Sequence, residues 1–291
     1  MALDPKRLVM CWPNYIDSAT LSGGSYVSTL PLGNVQDPRF AVVAKTASLA
    51  TTDTQLAITL ARRRPVAVVA IPAHNLSPSA QVRVRVYRDA AQTDQLWDSA
   101  WRNVWPVVYS LADVIWGNDN FWNRRLDEED RSTRTPLLAV FFDDTYIATA
   151  VTVELSDPGN TDGAITFGRV FLADAWQPGY NMSLGVQYGH DSGTEISTAG
   201  DDARTEYADR VTPKRTASFD LDWLDESEAF LRLHRLQRTE DIVGEILFMP
   251  SITPSPANFA RSMIARQQSL DPLTQPYQLI HSHPVNLLEI L

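Results

Sequence analysis

Two apolar segments joined by a short loop constrain this chain more than any other feature. The first, residues 66–71, reads VAVVAI and has no polar alternation, which predicts a strand buried on both faces. The second, Gln81–Tyr87, alternates Val82, Val84 and Val86 with polar side chains, which predicts a strand with one buried face. Together they are the clearest β signal in the sequence.

The rest of the chain is also typical of a mainly β protein. Its 18 prolines and 13 glycines interrupt the sequence often, and long helical patterns are scarce. A length of 291 residues suffices for one large domain or two ordinary ones.

One strand–helix–strand pattern stands out at residues 216–251. Asp225 is a good N-cap, and Glu228 follows three residues later, as in a capping box. Apolar residues then recur at helical spacing, which predicts a helix over 225–238. Three arginines lie late in this helix, where cations suit its negative end. They are Arg232, Arg235 and Arg238.

Charge and cysteine content exclude several classes. A formal charge of −10 disfavours non-specific nucleic-acid binding, which requires many Lys and Arg side chains. No apolar run approaches the roughly 18–20 residues of a membrane span, and the N-terminus predicts no signal peptide. Cys11 is the single cysteine, so no disulfide forms within the chain. We expect synthesis in the cytoplasm.

Several charged segments are predicted to be turns or solvated loops. The arginine triplet at 62–64 is either an anion patch or an inter-strand turn, and the turn is favoured. The segment 124–134, with contiguous acids at 127–130, is predicted to be a surface loop. The acidic pairs at 143–144 and 201–202 are predicted to be turns, although acids of this kind also hold calcium.

The residues that most often perform catalysis lack partners in the sequence. His74 lies in the HNLS loop, but no nucleophile elbow accompanies it. Cys11 precedes Trp12 and Pro13, an ordinary packed context. His281 and His283 could share a face of a strand and bind metal, but a surface pair is favoured. We therefore predict no catalytic residue, no metal site and no cofactor.

The segment 97–122 contains five of the eight tryptophans. Its rings either pack in the core of a β-sandwich or stack on sugars, since a flat π face suits the apolar face of a sugar. Trp116 and Trp122 are the pair expected to be exposed. Asn118, with its neighbours Asp119 and Asn120, could then bind sugar hydroxyls.

Two stretches resemble phage virion proteins. VAVVAIPAHNLSPSAQVRVRVYRD resembles the galactose-binding-like, or discoidin-like, jelly roll of such proteins. GRVFLADAWQPGYNMSLGVQY, FDLDWLDESEAFLRLHRLQR and GEILFMP resemble the belt region of distal tail proteins of long-tailed phages, although there the belt often comes first. The resemblance implies an irregular N-terminal arm (1–39), a jelly roll (40–165), a belt-like β domain with one supporting helix (166–250) and an extended, proline-rich C-terminal arm (251–291).

This resemblance implies a structural protein of a phage tail tip or baseplate. It would form a homo-oligomeric ring, six-fold or else three-fold, that joins the tail tube to the hub or fibres in the assembled virion. The three helix arginines would then be subunit contacts. An alternative is a carbohydrate-binding module for host attachment, with a surface glycan as partner. A glycan-processing enzyme is a third hypothesis, and only scattered acids favour it.

Overall fold

The computed structural model describes residues 3–199 and 205–291, and the chain is mainly β. It forms two compact units. The first comprises the chain up to Gln177 together with Ile246–Ser262 and Leu291, and the second comprises Pro178–Glu245 and Met263–Ile290. The domain boundaries drawn from the sequence at residues 39, 165 and 250 stay predictions.

Nineteen strands lie in the described residues. They are β1 (Val9–Cys11), β2 (Thr20–Ser22), β3 (Ala44–Lys45), β4 (Gln55–Pro72), β5 (Gln81–Tyr87), β6 (Gln95–Asp98), β7 (Arg102–Asn103), β8 (Leu137–Ser156), β9 (Thr166–Phe167), β10 (Phe171–Ala173), β11 (Ala175–Trp176), β12 (Gln187–Asp191), β13 (Glu195–Ala199), β14 (Thr205–Asp209), β15 (Lys214–Leu224), β16 (Ile246–Met249), β17 (Met263–Gln267), β18 (Thr274–Tyr277) and β19 (Ile280–Glu289).

The first unit is built on a bent, seven-stranded antiparallel sheet. Its order is β10-β4-β8-β5-β6, with β2 on β4 and β7 on β5. The long strands β4 and β8 run through both halves of the bend. One half therefore contains β2, β4, β8, β5, β6 and β7, and the other contains β10, β4 and β8.

The two halves enclose one apolar core, as in a β-sandwich. The inward residues of β5 are fully buried, and they belong to the same cluster as Ile71 and Leu138 of the other half. The rings of Trp97 and Phe142 meet across the core at 4.7 Å. Residues 66–71 are buried throughout, which confirms the prediction of a strand buried on both faces.

Two predicted turns are wrong. The arginine triplet at 62–64 and the acidic pair at 143–144 both lie inside continuous strands, β4 and β8. The pairing of β4 with β8 shifts register between Thr59 and Arg64 and again between Val66 and Val68. Extra residues in one strand bend it without ending it, and their charged side chains face solvent.

Shorter strands complete the first unit. Strands β11, β1 and β16 pair antiparallel in that order, and β3 pairs with β9. Two short 3-10 helices, Tyr15–Ser18 and Leu32–Gln36, lie in the segment predicted to be irregular. Within the segment 124–134 the structure adds a helix, α1 (Glu128–Ser132), which the sequence analysis missed.

The second unit contains an antiparallel sheet in the order β17-β19-β15-β12, with β18 on β19. The last apolar stretch of the chain thus forms β19, between β15 and β17. Strands β13 and β14 pair only with each other in the described sheets. Strand β12 pairs with β15. Residues 200–204, which include the acidic pair 201–202 predicted to be a turn, lie outside the described residues.

The predicted helix over 225–238 is present with slightly different bounds. One stretch of π-helix, Glu228–His234, continues into α2 (Arg235–Glu240). Asp225 accepts a hydrogen bond from the Glu228 backbone N–H at 2.7 Å, as its N-cap position predicts. A third helix, α3 (Pro256–Arg261), lies in the proline-rich C-terminal segment. No helix in the two described ranges has the length and hydropathy that a membrane span needs.

Candidate functional site

An aromatic loop, residues 104–127 between β7 and α1, carries the two tryptophans that the sequence analysis selected. The loop is anchored at its start, where the Val104 backbone N–H donates to the Ala80 carbonyl at 3.0 Å. The buried indole of Trp105 donates from Nε1 to the Leu76 carbonyl, also at 3.0 Å. Leu126 is buried at the other end. Both ends of the loop are therefore fixed to the sandwich.

Backbone and side-chain hydrogen bonds also hold the loop closed along its length. The N–H groups of Val108 and Tyr109 both donate to the carbonyl of Arg124, at 3.0 and 3.1 Å. The Tyr109 hydroxyl donates to Asp130 at 2.9 Å. Burial, and then this carboxylate, raise the pKa of Tyr109 to about 12. The hydroxyl therefore stays protonated, and it ties the loop to α1.

The tip of the aromatic loop exposes two indoles. Trp116 is 79% exposed and Trp122 is 84% exposed. Phe121 meets the Trp122 ring edge-on at 5.1 Å, which supports the ring from one side. Gly117 has φ +100°, a conformation that favours glycine, and it turns the chain directly after Trp116.

The polar residues of the tip divide into two groups. Asn118 and Asp119 are exposed, whereas Asn120 is 8% exposed. The expectation that Asn120 binds sugar hydroxyls is therefore wrong, because its side chain is buried. The Arg124 N–H donates to the Asn120 carbonyl at 2.7 Å, so this residue supports the loop from within. The tip offers two flat apolar rings next to one amide and one carboxylate.

His74 is a packed residue of the HNLS loop. Its Nδ1 accepts from the Leu76 N–H at 3.3 Å, and its ring meets Trp105 edge-on at 5.5 Å. Burial, and then the charge of Arg131, lower the pKa of His74 to about 3. Buried against Trp105 and hydrogen-bonded to the backbone, His74 supports the HNLS loop.

The other nucleophile and imidazole candidates are buried in strands. Cys11 is fully buried in β1, and burial followed by the charge of Asp174 raises the pKa of its thiol well above the usual value. His281 and His283 are 6% and 2% exposed in β19, so the surface pair favoured from the sequence is wrong. Their strand lies inside the sheet of the second unit. Burial lowers the pKa of His283.

The contiguous acids at 127–130 have structural roles. Asp127 caps α1 by accepting from the Asp130 N–H at 2.8 Å, and Asp130 accepts from Tyr109. Within the part of the chain that the structure describes, no three His, Cys, Asp or Glu side chains form a group suited to a metal ion. The three helix arginines, Arg232, Arg235 and Arg238, are all exposed on the second unit.

Sequence reasoning missed a polar network and two ion pairs of the first unit. Asp157 is fully buried and accepts from Ser77 N–H at 2.8 Å and from Asn160 Nδ2 at 3.1 Å, which joins the HNLS loop to the turn after β8. On the outer face of β5, Arg83 and Arg85 form ion pairs with acids of neighbouring strands. The alternation of Arg with Val in β5 was the available signal, but strand pairing alone identifies the partner acids.

Comparisons with known proteins found no matching family model and no matching curated protein. Three similar solved structures are small carbohydrate-binding domains. One is a mutant of the lectin binding domain of Lectinolysin complexed with Lewis b, with 15% identity over 56% of this chain and 96% of that chain and a TM-score of 0.34. Another is the family 32 CBM of C. perfringens NanJ in complex with galactose, with 13% identity over 58% of this chain and 99% of that chain and a TM-score of 0.35. The third is CBM32-1 from a family 31 glycoside hydrolase of Clostridium perfringens, with 9% identity over 59% of this chain and 100% of that chain and a TM-score of 0.36. Scores in this range do not establish a shared fold, so the sandwich described above rests on the strand pairing of this chain.

Proposed function

We propose that this chain is a non-catalytic binding protein whose first unit binds a carbohydrate through the aromatic loop. The observation that carries the proposal is the exposure of Trp116 and Trp122, at 79% and 84%, on a loop fixed at both ends. Large aromatic rings left in water cost free energy, and contact with a ligand recovers it. A fixed loop also loses little conformational entropy when a ligand binds.

A glycan array tests this proposal with the wild-type chain and the variants Trp116→Ala and Trp122→Ala. Galactose-containing glycans are the first class to include, because a galactose complex is among the similar solved structures. We expect each variant to lose binding by more than about tenfold, the usual effect of removing a tryptophan at the centre of an interface. Leu111→Ala is the matched control, because Leu111 is 64% exposed on the same loop. Array signals that are equal in all four proteins would contradict the proposal.

A second function, self-assembly, is favoured by the second unit. Among its described residues, fourteen large apolar side chains are exposed, and large exposed apolar patches mark interaction surfaces. They are Tyr180, Leu184, Tyr188, Ile196, Tyr207, Val211, Trp223, Phe230, Leu231, Ile242, Val243, Leu270, Tyr277 and Leu279.

The hairpin β13–β14 is the clearest sign of a missing partner. Every side chain of it whose burial is described, at 195–198 and 206–209, is exposed. A two-stranded hairpin alone is marginally stable in water. It also carries Glu195, Glu206 and Asp209, and it is therefore suited to a basic surface. The exposed helix arginines of a second copy provide such a surface, so the hairpin and the helix would meet between copies.

The resemblance of the sequence to distal tail proteins supports a specific setting for this assembly. There the chain would be a structural protein of a phage tail tip or baseplate. Its copies would form a ring between the tail tube and the hub or fibres, with six subunits favoured and three as the alternative. Ring contacts between unlike surfaces, here hairpin and helix, close when the rotation between copies divides a full turn.

Sedimentation velocity of the full chain tests self-assembly. We expect the wild-type chain to sediment as an oligomer, and Arg235→Glu to raise its dissociation constant by about tenfold or more because like charges then face each other. Arg63→Glu is the matched control, since Arg63 is an exposed arginine of the first unit. A wild-type chain that is monomeric at all concentrations, or an Arg235→Glu variant that assembles normally, would contradict this function.

A further inference from the structure

A second candidate site lies on the first unit, away from the residues of the aromatic loop. It is a cavity of about 320 Å³ on the outer face of the half-sheet that contains β2, β4, β5 and β8. Ala57 of β4 and Arg85 of β5 lie directly opposite Thr152 of β8, one on each side of it. Ala57 and Thr152 are both small, so the outer face is low at this point.

The side chains around this cavity are mainly polar. Ser22 at the end of β2 and Gln55 of β4 line one side, and Gln92 and Glu154 also contribute to the lining. Amide and hydroxyl groups both donate and accept hydrogen bonds. The cavity therefore offers donors and acceptors together, as a ligand with several hydroxyl groups requires.

Charge argues for a neutral ligand. Among the described lining residues only Arg85 and Glu154 are charged, and they form an ion pair with each other. The adjacent Arg83 is likewise paired, with Asp98. Since each charge has its counterion, a charged ligand would find no uncompensated partner, whereas a neutral one disturbs neither pair.

Two polar atoms of the lining residues are buried without a hydrogen-bond partner in the described part of the chain. They are Oγ1 of Thr152 and Nε of Arg85. Buried polar groups are nearly always paired, and an unpaired one costs free energy. Both atoms belong to directly opposed residues of β8 and β5 and are closed to solvent, so a bound hydroxyl reaches them only after the neighbouring side chains shift.

From these observations we propose that this cavity binds a neutral saccharide, of one or two sugar rings, independently of the aromatic loop. Gln55, Gln92 and the Arg85–Glu154 pair hold its hydroxyls, and Thr152 marks the floor. The inference does not depend on glycan binding by Trp116 and Trp122, because none of the lining residues belongs to that loop.

Saturation-transfer NMR and calorimetric titration of the full chain test the inference, with lactose, maltose and cellobiose as probes. We expect saturable binding of at least one of them. Ala57→Leu fills the floor and is expected to weaken that binding at least about tenfold. Thr152→Val keeps the branched shape but removes the hydroxyl, and it is expected to weaken binding several-fold. Thr149→Val is its matched control, because the Thr149 hydroxyl donates to the Arg88 carbonyl and lies outside the lining.

Three results would overturn the inference. One is the absence of saturable binding of all three sugars to the wild-type chain, which would mean that water alone fills the cavity. Another is binding that Trp122→Ala removes while Ala57→Leu and Thr152→Val leave it intact, since the sugar would then lie at the aromatic loop. The last comes from titrating galactose and galacturonate in the same way: tighter binding of the charged sugar would contradict a neutral ligand.

Discussion

The two units of this chain differ in what they leave exposed. The first buries both halves of its sandwich around one core, and most of its exposed large apolar side chains lie in the segment 101–122. The second exposes large apolar side chains on its sheet strands, its helix and its hairpin. The comparison teaches that the exposed apolar side chains of the first unit are concentrated in one segment, whereas those of the second are spread over its described strands, helix and hairpin.

The units also differ in their buried ion pairs. In the second unit, Arg215 of β15 donates from Nε and Nη2 to Oε1 of Glu289 in β19, at 2.9 and 2.5 Å. Both side chains are nearly buried. The first unit also buries a charged side chain, Arg169, which is 1% exposed and pairs at 2.7 Å with Asp17, but Asp17 is itself exposed. Because both members of the Arg215–Glu289 pair are buried, removal of either leaves a buried charge without its partner, which is costly.

The largest expected effect breaks that partnership. Glu289→Gln removes the carboxylate that pairs with the buried Arg215, and we expect a loss of about 3–5 kcal/mol in the free energy of unfolding. Asp94→Asn is the control, because it breaks the exposed Arg88–Asp94 pair and should cost no more than about 1 kcal/mol. Urea denaturation measures both. Equal losses in the two variants would show that the buried Arg215–Glu289 pair stabilises the protein no more than the exposed Arg88–Asp94 pair does.

A substitution in the apolar core of the first unit tests how closely its sandwich is packed. Ile58 is fully buried in the sandwich, and Ile58→Ala should lower the free energy of unfolding by about 2–5 kcal/mol because it leaves a cavity. Ile147 belongs to the same sheet but is 56% exposed, so Ile147→Ala should cost less than about 0.5 kcal/mol. Thermal and urea unfolding of both variants check this. A similar cost at the two positions would contradict a close-packed sandwich.

Acid should weaken the first unit through His74. Its folded pKa of about 3 lies below the usual value of 6.5, so between these values the unfolded state binds a proton that the folded state does not. Stability is therefore lost as the pH falls from 6.5 towards 3, by about 1.4 kcal/mol per pH unit from this residue. His74→Gln should flatten the pH dependence of the urea midpoint over that window. Equal slopes in wild type and His74→Gln would rule out this role.

The smallest effect on stability is expected at the hairpin. Replacing residues 195–209 by two glycines should change the free energy of unfolding of the monomer by less than about 1 kcal/mol, because the described strands pack on no core. The same deletion should abolish self-assembly in sedimentation velocity. A large loss of monomer stability would mean that the hairpin belongs to the fold of the second unit rather than to a contact between copies.

The sequence predicted the elements that depend on local pattern. The alternation of apolar and polar residues predicts β5, and the uninterrupted apolar run at 66–71 predicts the buried end of β4. Asp225, as an N-cap, predicts that the helix starts near Glu228. It failed where the outcome depends on distant residues. The arginine triplet at 62–64 was taken for a turn, since nothing local shows that β8 carries its own extra residues opposite this strand and lets both bend together.

The candidate sites divide in the same way. The sequence predicts that Trp116 and Trp122 are exposed, because Asn and Asp residues lie between them, and the structure places both on the surface. The burial of Asn120 could not be foreseen, because its neighbours in sequence are all exposed or half-buried. The sheet-face cavity combines Gln55, Arg85 and Thr152 from three strands, and only their register places them side by side.

Glycan titration of two matched tryptophan variants, one in each unit, most directly tests the proposal that the first unit binds the ligand. Trp122 is 84% exposed on the first unit, and Trp223 is 54% exposed on the second, where it stacks on Tyr277 at 6.1 Å. We predict that Trp122→Ala weakens binding of the glycan identified on the array by more than about tenfold, and that Trp223→Ala leaves the affinity unchanged. An equal loss in the two variants, or a loss in Trp223→Ala alone, would contradict the assignment of ligand binding to the first unit.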